Sequence, residues 1–292
     1  MYKEKTIRKS EVLQLVLLDN LYAQSGSERI IFQGGTALRW VYGGMRFSED
    51  LDFVTQLPGK EIKKILDRSF GKAQRACVAH FGSGRSEYRF RSGRRQATSA
   101  SFIYRPETQR ERIAVKSEFE TLKADHEPDF EKKILRDLPS VAGMISNGDL
   151  IMPYSSSIIL TETIDEILSD KIRALYEREY LKGRDIYDLW WIVNQLKVTP
   201  DWMKLREKLF MYQAPFIPAR EADYFLSDES TLMIRAAIKT DLPRFIPQNI
   251  LSEYQEDDFS EFVATLKAVT SHLLSQGMEQ FFKDYERRKD YV

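Results

Sequence analysis

Residues 30–54 read IIFQGGTALRWVYGGMRFSEDLDFV, and this stretch sets the expected fold. The apolar residues 30–32 predict a short strand, which ends at the glycine turn that follows it. Helical spacing resumes over 37–41 and stops at a second pair of glycines. A second strand is predicted around 50–54. The stretch therefore predicts a strand, a turn, a helix and a strand in succession, as in an α+β fold.

The second of these strands carries two carboxylates on one face. Strand alternation places Leu51 and Phe53 on one side and Asp50 and Asp52 on the other. Two carboxylates that face the same way beside apolar residues repel each other unless a cation lies between them, and Mg²⁺ prefers oxygen ligands. The pattern predicts a site for Mg²⁺ or Mn²⁺. A half-exposed edge strand with solvated aspartates is the alternative.

The glycine turn lies some 15 residues upstream of the carboxylates. Gly34 and Gly35 allow close approach of the backbone, and Thr36 offers a hydroxyl at a helix N-terminus. Such a turn can bind phosphate through backbone N–H groups and the helix dipole. A tight strand-to-helix connection is the alternative. Taken together, the turn and the carboxylates predict a triphosphate site beside a metal site, which is typical of nucleotidyl transfer.

A third carboxylate is common in this chemistry, and the strand-like segment 113–120 offers two. Glu118 and Glu120 share one face of that segment. We expect Glu118 rather than Glu120 to be a third metal ligand. Solvated strand charges are the alternative for both.

Two charged residues fall on apolar faces of predicted helices. Lys171 lies inside the apolar arc of the helix over 163–180, and Asp185 lies inside that of the helix over 184–197, with Asp188 at its border. In a functional interpretation, Lys171 binds the triphosphate, and Asp185 orients it or accepts a proton from the attacking hydroxyl. In the alternative, Lys171 and Asp185 form a buried structural ion pair.

Charge divides the chain into two halves. The 44 basic and 44 acidic residues give a net charge of zero. Residues 1–150 hold 26 basic and 20 acidic residues, a net +6, so residues 151–292 carry a net −6. Strand patterns occur in the basic half, and helical patterns dominate from about Thr161. We expect a basic α+β domain over 1–155 and an all-helical domain over 156–292, which contributes Lys171 and Asp185 to the cleft.

The basic character concentrates in residues 85–112, which are predicted to form antiparallel strands within the segment 78–120. This range holds arginines at 85, 89, 91, 94, 95, 105, 110 and 112 against three glutamates. Tyr88, Phe90, Phe102 and Tyr104 are interleaved with them. Arginines with aromatic residues suit contact with RNA phosphates and stacking on bases. A solvated sheet face whose aromatic residues belong to the core is the alternative.

The sequence does not support a disulfide, a zinc site, three common catalytic or nucleotide-binding motifs, a signal peptide or a membrane helix. Cys77 is the single cysteine, so an internal disulfide is impossible, and the three histidines show no paired spacing typical of zinc sites. No G-x-S-x-G, P-loop or G-x-G-x-x-G motif is present. The start shows no signal peptide, and no apolar run is long enough for a membrane helix. We expect a cytoplasmic protein without a membrane partner.

Two ordered blocks resemble a known family. Gly34 to Leu38 followed by Arg46 to Phe53, and then Glu166 to Lys171 followed by Gly183 to Trp190, resemble the motifs of AbiEii/AbiGii-type nucleotidyltransferase toxins. These are the toxins of type IV toxin–antitoxin systems. Thr36 stands where the wider superfamily usually has serine, and it keeps the hydroxyl.

The resemblance implies a polymerase-β-like nucleotidyltransferase domain joined to a helical domain. It implies an NTP substrate and Mg²⁺ at Asp50 and Asp52, with Asp185 contributing to catalysis. The residues that it assigns to the nucleotide are Gly34, Gly35, Thr36, Arg46, Ser48 and Lys171, and the supporting residues are Arg184 and Asp188.

The resemblance also implies an RNA acceptor such as tRNA, a cognate antitoxin and a role as a toxin or in phage defence. Two alternatives remain from the sequence. One is an enzyme that modifies a protein or a small molecule, and the other is a non-catalytic module that binds a nucleotide or a partner.

Overall fold

The computed structural model describes residues 3–92, 98–108, 111–152 and 156–289, without the side chains of 286–289. The chain forms two compact units. We call them the sheet unit, which runs to Thr163 and also takes in Tyr212–Ala214, and the helical unit, which comprises Ile164–Met211 and the chain from Pro215 onward. The predicted α+β class, with a mixed sheet followed by a helical region, is confirmed.

The sheet unit is built on a mixed sheet with seven strands in the described residues. They are β1 (Ile30–Gln33), β2 (Leu51–Thr55), β3 (Gly84–Arg91), β4 (Thr98–Pro106), β5 (Ile113–Thr121), β6 (Phe130–Ile134) and β7 (Ile158–Glu162). Their order is β3-β4-β5-β2-β1-β7-β6. The pairs β2–β5 and β1–β7 are parallel, and the other neighbours are antiparallel. The carboxylate strand β2 therefore lies at the centre.

Four helices accompany this sheet: α1 (Glu4–Tyr22), α2 (Gly34–Val41), α3 (Gly59–Phe81) and α4 (Pro139–Ser146). Two predicted boundaries are wrong. The apolar spacing over residues 10–24 predicts an opening helix with Ser10 as its N-cap, but α1 begins at Glu4, because Ile7 is already buried on its apolar face. Helix α3 continues to Phe81, so the start of the segment predicted as strands is helical, and Cys77 is buried on this helix. Gly82, with φ of 81°, ends it.

Aromatic residues fill one face of the sheet. Phe53 stacks on Phe119 with ring centroids 5.0 Å apart, and Phe70 of α3 packs edge-on against Tyr88 and Phe102. Burying each such ring stabilises the fold by about 1.5–3 kcal/mol.

The fully buried aromatic residues of segment 85–112 follow the alternative interpretation, in which they belong to the core. Phe102 and Tyr104 are fully buried, and Phe81 of α3 lies against Tyr104. Phe90 alternates with exposed arginines on the half-buried face of β3. Phe102 and Tyr104 are therefore unavailable for stacking on RNA bases, and Tyr88 packs on Phe70 of α3. Arg94, Arg95 and Arg110 lie outside the described residues.

The sheet continues past the boundary predicted at residue 155. Strand β7 pairs with β1 through Phe32 and Thr161, so residues 158–162 belong to the sheet unit. The sequence PYSSS at 153–157 predicts the junction between the domains, and its first three residues lie outside the described residues. Among the helices that the structure describes, none combines the length and the apolar character that a membrane span needs.

The helical unit contains α5 (Ile164–Glu177), α6 (Gly183–Trp190), α7 (Trp202–Met211), α8 (Asp228–Asp241), α9 (Gln248–Glu256), α10 (Ser260–Ser275) and α11 (Met278–Lys289). A π-helical turn, Trp191–Gln195, continues α6. Helical patterns predict five helices here, over 163–180, 184–197, 201–212, 229–239 and 258–275. They correspond to α5, α6 with this turn, α7, α8 and α10. Helices α9 and α11 were not predicted, because α9 has a single fully buried residue, Leu251, and both carry many polar residues.

A buried ion network joins α5 and α7. Lys208 has no exposed surface, and its Nζ lies 3.0 Å from Glu166 Oε2 and 3.1 Å from Asp170 Oδ2. Lys204 Nζ lies 2.8 Å from Glu166 Oε1. Two lysines and two carboxylates thus balance each other in charge, which is the condition under which buried charges are tolerated.

Candidate active site

The strand register brings the predicted carboxylates together on the sheet. Asp52 is opposite Glu118 on β5, and Asp50 immediately precedes β2. Residues that are directly opposite on neighbouring strands project from the same face. Glu120 is instead opposite Val54. Glu118 is thus nearer than Glu120 to the aspartates, as the sequence-based preference expects.

Lys116 adds a cation to this cluster, and the sequence analysis did not assign it a role. Its ammonium forms an ion pair with Glu118. The hydrogen bond to Glu118 raises the pKa of Lys116, and the negative charges of Asp50 and Asp52 raise it further. Its position two residues before Glu118 on an alternating strand was the available signal, since both side chains then share one face. Lys116 partly offsets the repulsion among the carboxylates.

The glycine turn lies against the carboxylates. Gly34 has φ of 79°, a conformation that favours glycine, and a Cβ atom there would lie 2.7 Å from Asp52 Oδ2. A Cβ atom on Gly35 would lie 3.0 Å from Ser48 Oγ and would overlap the guanidinium of Arg46. Gly34 is therefore favoured by both its backbone conformation and the close approach of Asp52, and a side chain at Gly35 would displace the ends of Arg46 and Ser48. The positive end of the α2 dipole also lies beside Asp52, where it favours negative charge.

Thr36 and Arg46 shape the loop in front of the carboxylate strand. The hydroxyl of Thr36, which is fully buried, donates a hydrogen bond to the backbone carbonyl of Asp50. The buried Arg46 donates from Nη1 to the carbonyl of Phe47 at 2.8 Å. These contacts fix the approach of residues 46–50 to the helix α2.

Gln14 of α1 is a positioning residue that sequence analysis missed. Its Nε2 donates to the carbonyl of Ser48 at 2.6 Å and of Glu49 at 3.2 Å, and its Oε1 accepts from Trp40 Nε1 at 3.3 Å. It is 1% exposed. A glutamine inside the apolar run of α1 was the available signal, because a buried polar side chain needs partners. Gln14 holds the segment that leads into Asp50.

The chemistry of the donor set fits a hard divalent cation. Asp50, Asp52 and Glu118 offer oxygen ligands, which Mg²⁺ and Mn²⁺ prefer. Within the described ranges, no group of three or more His, Cys, Asp and Glu side chains is arranged to hold a metal ion. Mg²⁺ is commonly bound by one or two carboxylates with water and substrate phosphates. The residues thus suit a cation shared with a bound triphosphate.

In the helical unit, Lys171 and Asp185 form the ion pair that the alternative interpretation anticipated. Lys171 Nζ lies 3.4 Å from Asp185 Oδ1 and 2.8 Å from Asp188 Oδ2, so Asp188 is the closer partner. Asp185 also pairs with Arg178. Lys171, Asp185 and Asp188 are all buried. Removing one member of such a group leaves an uncompensated buried charge.

The start of α6 is anchored to α8 and to the segment that follows it. A Cβ atom on Gly183 would lie 2.6 Å from the carbonyl oxygen of Ala237, so only glycine allows this approach. The backbone N–H of Arg184 donates to Asp241 Oδ2 at 3.1 Å, and its guanidinium lies over the ring of Phe245. These contacts set the orientation of the helix that carries Asp185.

Cations also gather at the start of α6. Burial, together with the positive charges of Arg178, Arg184 and Lys171, lowers the pKa of Lys182 to about 8, while the negative charge of Asp241 opposes the shift. The four cations Lys171, Arg178, Lys182 and Arg184 lie close to the three carboxylates of Asp185, Asp188 and Asp241, so the cations are in excess by one.

We expect the substitution Lys182→Gln to raise the midpoint of thermal unfolding at pH 7 by about 1–2 °C, a small effect because solvent screens the group. The folded-state pKa lies below the unfolded value of roughly 10.4, so both states are protonated below pH 8 and the folded state bears the full cost there. Between these two pKa values the wild type gains stability as pH rises. The difference should therefore shrink by pH 10.

Thermal unfolding of both proteins at pH 7 and pH 10 measures this effect. Lys267→Gln on α10 is the matched control and should change neither midpoint. An equal difference at both pH values would contradict the lowered pKa of Lys182 as its cause.

Comparisons with known proteins bear on what this geometry does. Residues 16–275 match a family described as nucleotidyl transferase AbiEii toxin of type IV toxin–antitoxin systems. Among solved structures, JHP933 from Helicobacter pylori is similar, with a TM-score of 0.56, 17% identity, and coverage of 96% of this chain and 98% of that one. A candidate nucleotidyltransferase from H. pylori has a TM-score of 0.50, 16% identity, and coverage of 91% and 96%. No curated protein matches.

Proposed function

Because the chain belongs to the AbiEii family of nucleotidyltransferase toxins of type IV toxin–antitoxin systems, we propose that it transfers a nucleoside monophosphate from an NTP to an RNA acceptor, most simply tRNA, in a reaction that requires Mg²⁺. Its class as a transferase follows from the family. The acceptor, the metal and the residues in their roles belong to the proposal.

One observation carries the proposal: Asp52 and Glu118 lie side by side on parallel strands, against the glycine turn at the start of α2. Carboxylates on rigid strands can hold a cation that neutralises the triphosphate. The N-terminus of α2 suits phosphate oxygens. Asp50, next to β2, is the second aspartate of the proposed metal site.

The reaction follows from this arrangement. An acceptor hydroxyl oxygen attacks the α-phosphorus, the bond between the α- and β-phosphates breaks, and pyrophosphate leaves as the phosphodiester forms. The hydroxyl proton passes to a nearby base. Bound Mg²⁺ or Mn²⁺ supplies the charge stabilisation of the phosphates. Gly34 and Gly35 leave the backbone open to them, and Arg46 and Ser48 line the adjoining loop.

For the helical unit, we assign Lys171 to the triphosphate and Asp185 to a catalytic or orienting role. The ion pairs of Lys171 with Asp185 and Asp188 support a fixed position for its ammonium group. Arg184, through its contacts with Asp241 and Phe245, supports the same helix. The cation cluster around Lys182 favours binding of an anion in this region.

The biological setting is part of the same proposal. A type IV toxin implies a cognate antitoxin and an NTP substrate. We assign the chain to the cytoplasm, where NTPs and tRNA occur, and to toxicity or phage defence. A protein or small-molecule acceptor and a non-catalytic binding role are the competing outcomes of the test.

The test offers the purified chain each of the four NTPs, labelled with ³²P at the α-phosphate, together with Mg²⁺ and either total RNA or RNA-free lysate. We expect ribonuclease-sensitive label in the RNA fraction with one or more NTPs, and none when chelator replaces Mg²⁺. Parallel reactions with γ-labelled NTP should leave the RNA unlabelled, since the γ-phosphate departs in pyrophosphate.

Each other result selects a different function. Label in protein or in a small molecule would replace the RNA acceptor, and label from the γ-phosphate would indicate phosphoryl transfer instead. NTP binding without label in any fraction would favour the non-catalytic module.

A further inference from the structure

The face of the sheet that carries the carboxylates continues across three more strands. Asp52 on β2 is opposite Glu118 on β5, Glu118 is opposite Ser99 on β4, and Ser99 is opposite Arg91 on β3. Opposite residues project from the same face at every step. Arg91 is therefore on the same face as the carboxylates, about 14 Å from β2 across three strand spacings.

A second row runs beside the first. Lys116 on β5 is opposite Ser101 on β4, and Ser101 is opposite Arg89 on β3. The next row, which includes Glu87 and Ile103, is not basic. Beyond it, Arg85 is opposite Arg105, whose guanidinium pairs with Glu87. The two rows that are level with the carboxylates hold the cations Arg89, Arg91 and Lys116. We call Arg89, Arg91, Ser99, Ser101 and Lys116 the basic strip.

The basic strip is open to solvent. Arg89, Arg91 and Lys116 are exposed, and the two serines between them are half-buried. No acidic partner is found for Arg89 or Arg91 in the part of the chain that the structure describes. Because serine side chains are small, the surface of β4 between the arginines of β3 and the charged residues of β5 is low. The opposite face, with Tyr88 and Phe102, packs on α3.

We propose that the basic strip binds the sugar–phosphate backbone of an RNA acceptor near its 3′ end, so that the terminal hydroxyl reaches Asp52 and Glu118. This inference rests on the proposed function and specifies where its acceptor binds. Arg89 and Arg91 are about 7 Å apart along β3, comparable with the spacing of successive phosphates in an extended strand. Arginine suits phosphate oxygens, and serine hydroxyls bind phosphate or sugar.

The first test measures RNA binding without any NTP, so it does not depend on catalysis. A short single-stranded RNA with a 5′-fluorescein is titrated with the wild type, with Arg89→Ala/Arg91→Ala, and with Lys72→Ala/Arg75→Ala. The last pair is the matched control, because it removes the same charge from exposed positions of α3, on the other side of the sheet. Thermal unfolding verifies that all three proteins are folded.

We expect the affinity of Arg89→Ala/Arg91→Ala for RNA to fall about tenfold or more at low salt. The slope of log K against log salt concentration should decrease by about 1.4, the value for two lost contacts with single-stranded phosphates. The control should remain within about twofold of the wild type. The proposal for the basic strip would be overturned if the wild type bound no RNA, or if both double variants lost the same affinity for RNA.

The labelling reaction separates failure of the basic strip from failure of the proposed function. If the wild type labels RNA, Arg89→Ala/Arg91→Ala should raise KM for RNA and leave KM for the NTP unchanged. An unchanged KM for RNA would refute the strip while leaving the proposed function intact. If the wild type labels protein and the variant labels it equally, the strip is also refuted. A wild type that labels nothing contradicts the proposed function, and the binding titration then decides the strip alone.

Discussion

Replacement of Asp52 by asparagine is expected to reduce nucleotidyl transfer by about 10³-fold, equivalent to roughly 4 kcal/mol of transition-state stabilisation. Asparagine keeps the size of the side chain and removes the negative charge beside Glu118 and Gly34. A cation shared with the triphosphate then loses a charged ligand. Initial rates of pyrophosphate release at saturating NTP and RNA measure the effect.

The same substitution should leave the fold intact. The charge of Asp52 is repelled by Glu118 but favoured by Lys116 and by the α2 dipole, so its removal should change the midpoint of thermal unfolding little. Asp125→Asn, at an exposed turn of the same unit, is the matched control and should retain full activity. Activity of Asp52→Asn within about tenfold of the wild type, or a fall in its thermal midpoint that accounts for the loss, would refute the metal-site assignment.

Replacement of Lys208 by methionine is expected to destabilise the protein by about 3–5 kcal/mol. Methionine fills most of the space of the lysine stem, so the cost comes chiefly from Glu166 and Asp170, which lose their buried cation. Denaturant unfolding followed by tryptophan fluorescence measures the loss, since Trp202 lies on the same helix as Lys208.

Two comparisons isolate the buried charge as the cause. Lys204→Met removes the more exposed lysine of the same network and should cost only about 1 kcal/mol or less. Adding Glu166→Gln and Asp170→Asn to Lys208→Met should recover part of the lost stability, because the unpaired charges are then gone. Equal losses for Lys204→Met and Lys208→Met, or no recovery in the triple variant, would exclude this mechanism.

Sequence reasoning succeeded where the decisive contacts are local. Strands β1 and β2, with the glycine turn and the two aspartates, lie within residues 30–55. Strand alternation and turn chemistry predict these elements, because both patterns are local. The preference for Glu118 depended on strand pairing, which the sequence could only suggest. The register places Glu118 opposite Asp52, and its role as a metal ligand stays a prediction.

Sequence reasoning failed where contacts join distant segments. Gln14 binds the carbonyl of Ser48, 34 residues away, and no local pattern encodes that contact. The role of the aromatic residues beside Arg89 depended on α3, whose end at Phe81 the alternating pattern concealed.

The buried ion network shows a signal that could have been used. Glu166 and Asp170 are four residues apart on α5, and Lys204 and Lys208 are four residues apart on α7, so each pair lies on one face of its helix. Complementary pairs with this spacing on two helices suggest that the helices pack together. Which acidic pair contacts which basic pair can only be read from the folded structure.

The short return of the chain at Tyr212–Ala214 limits how this protein can be divided. Tyr212 pairs with Leu122, and the N–H of Gln213 donates to Thr121, at the end of the strand that bears Lys116 and Glu118. A recombinant fragment that stops at Thr163 lacks Tyr212–Ala214. A fragment that starts at Ile164 contains these residues but lacks β5, the strand that they contact. Expression of the two units as separate contiguous pieces therefore removes the contacts of Tyr212 and Gln213 with the end of β5. A split or circularly permuted version must keep Tyr212–Ala214 with the sheet unit.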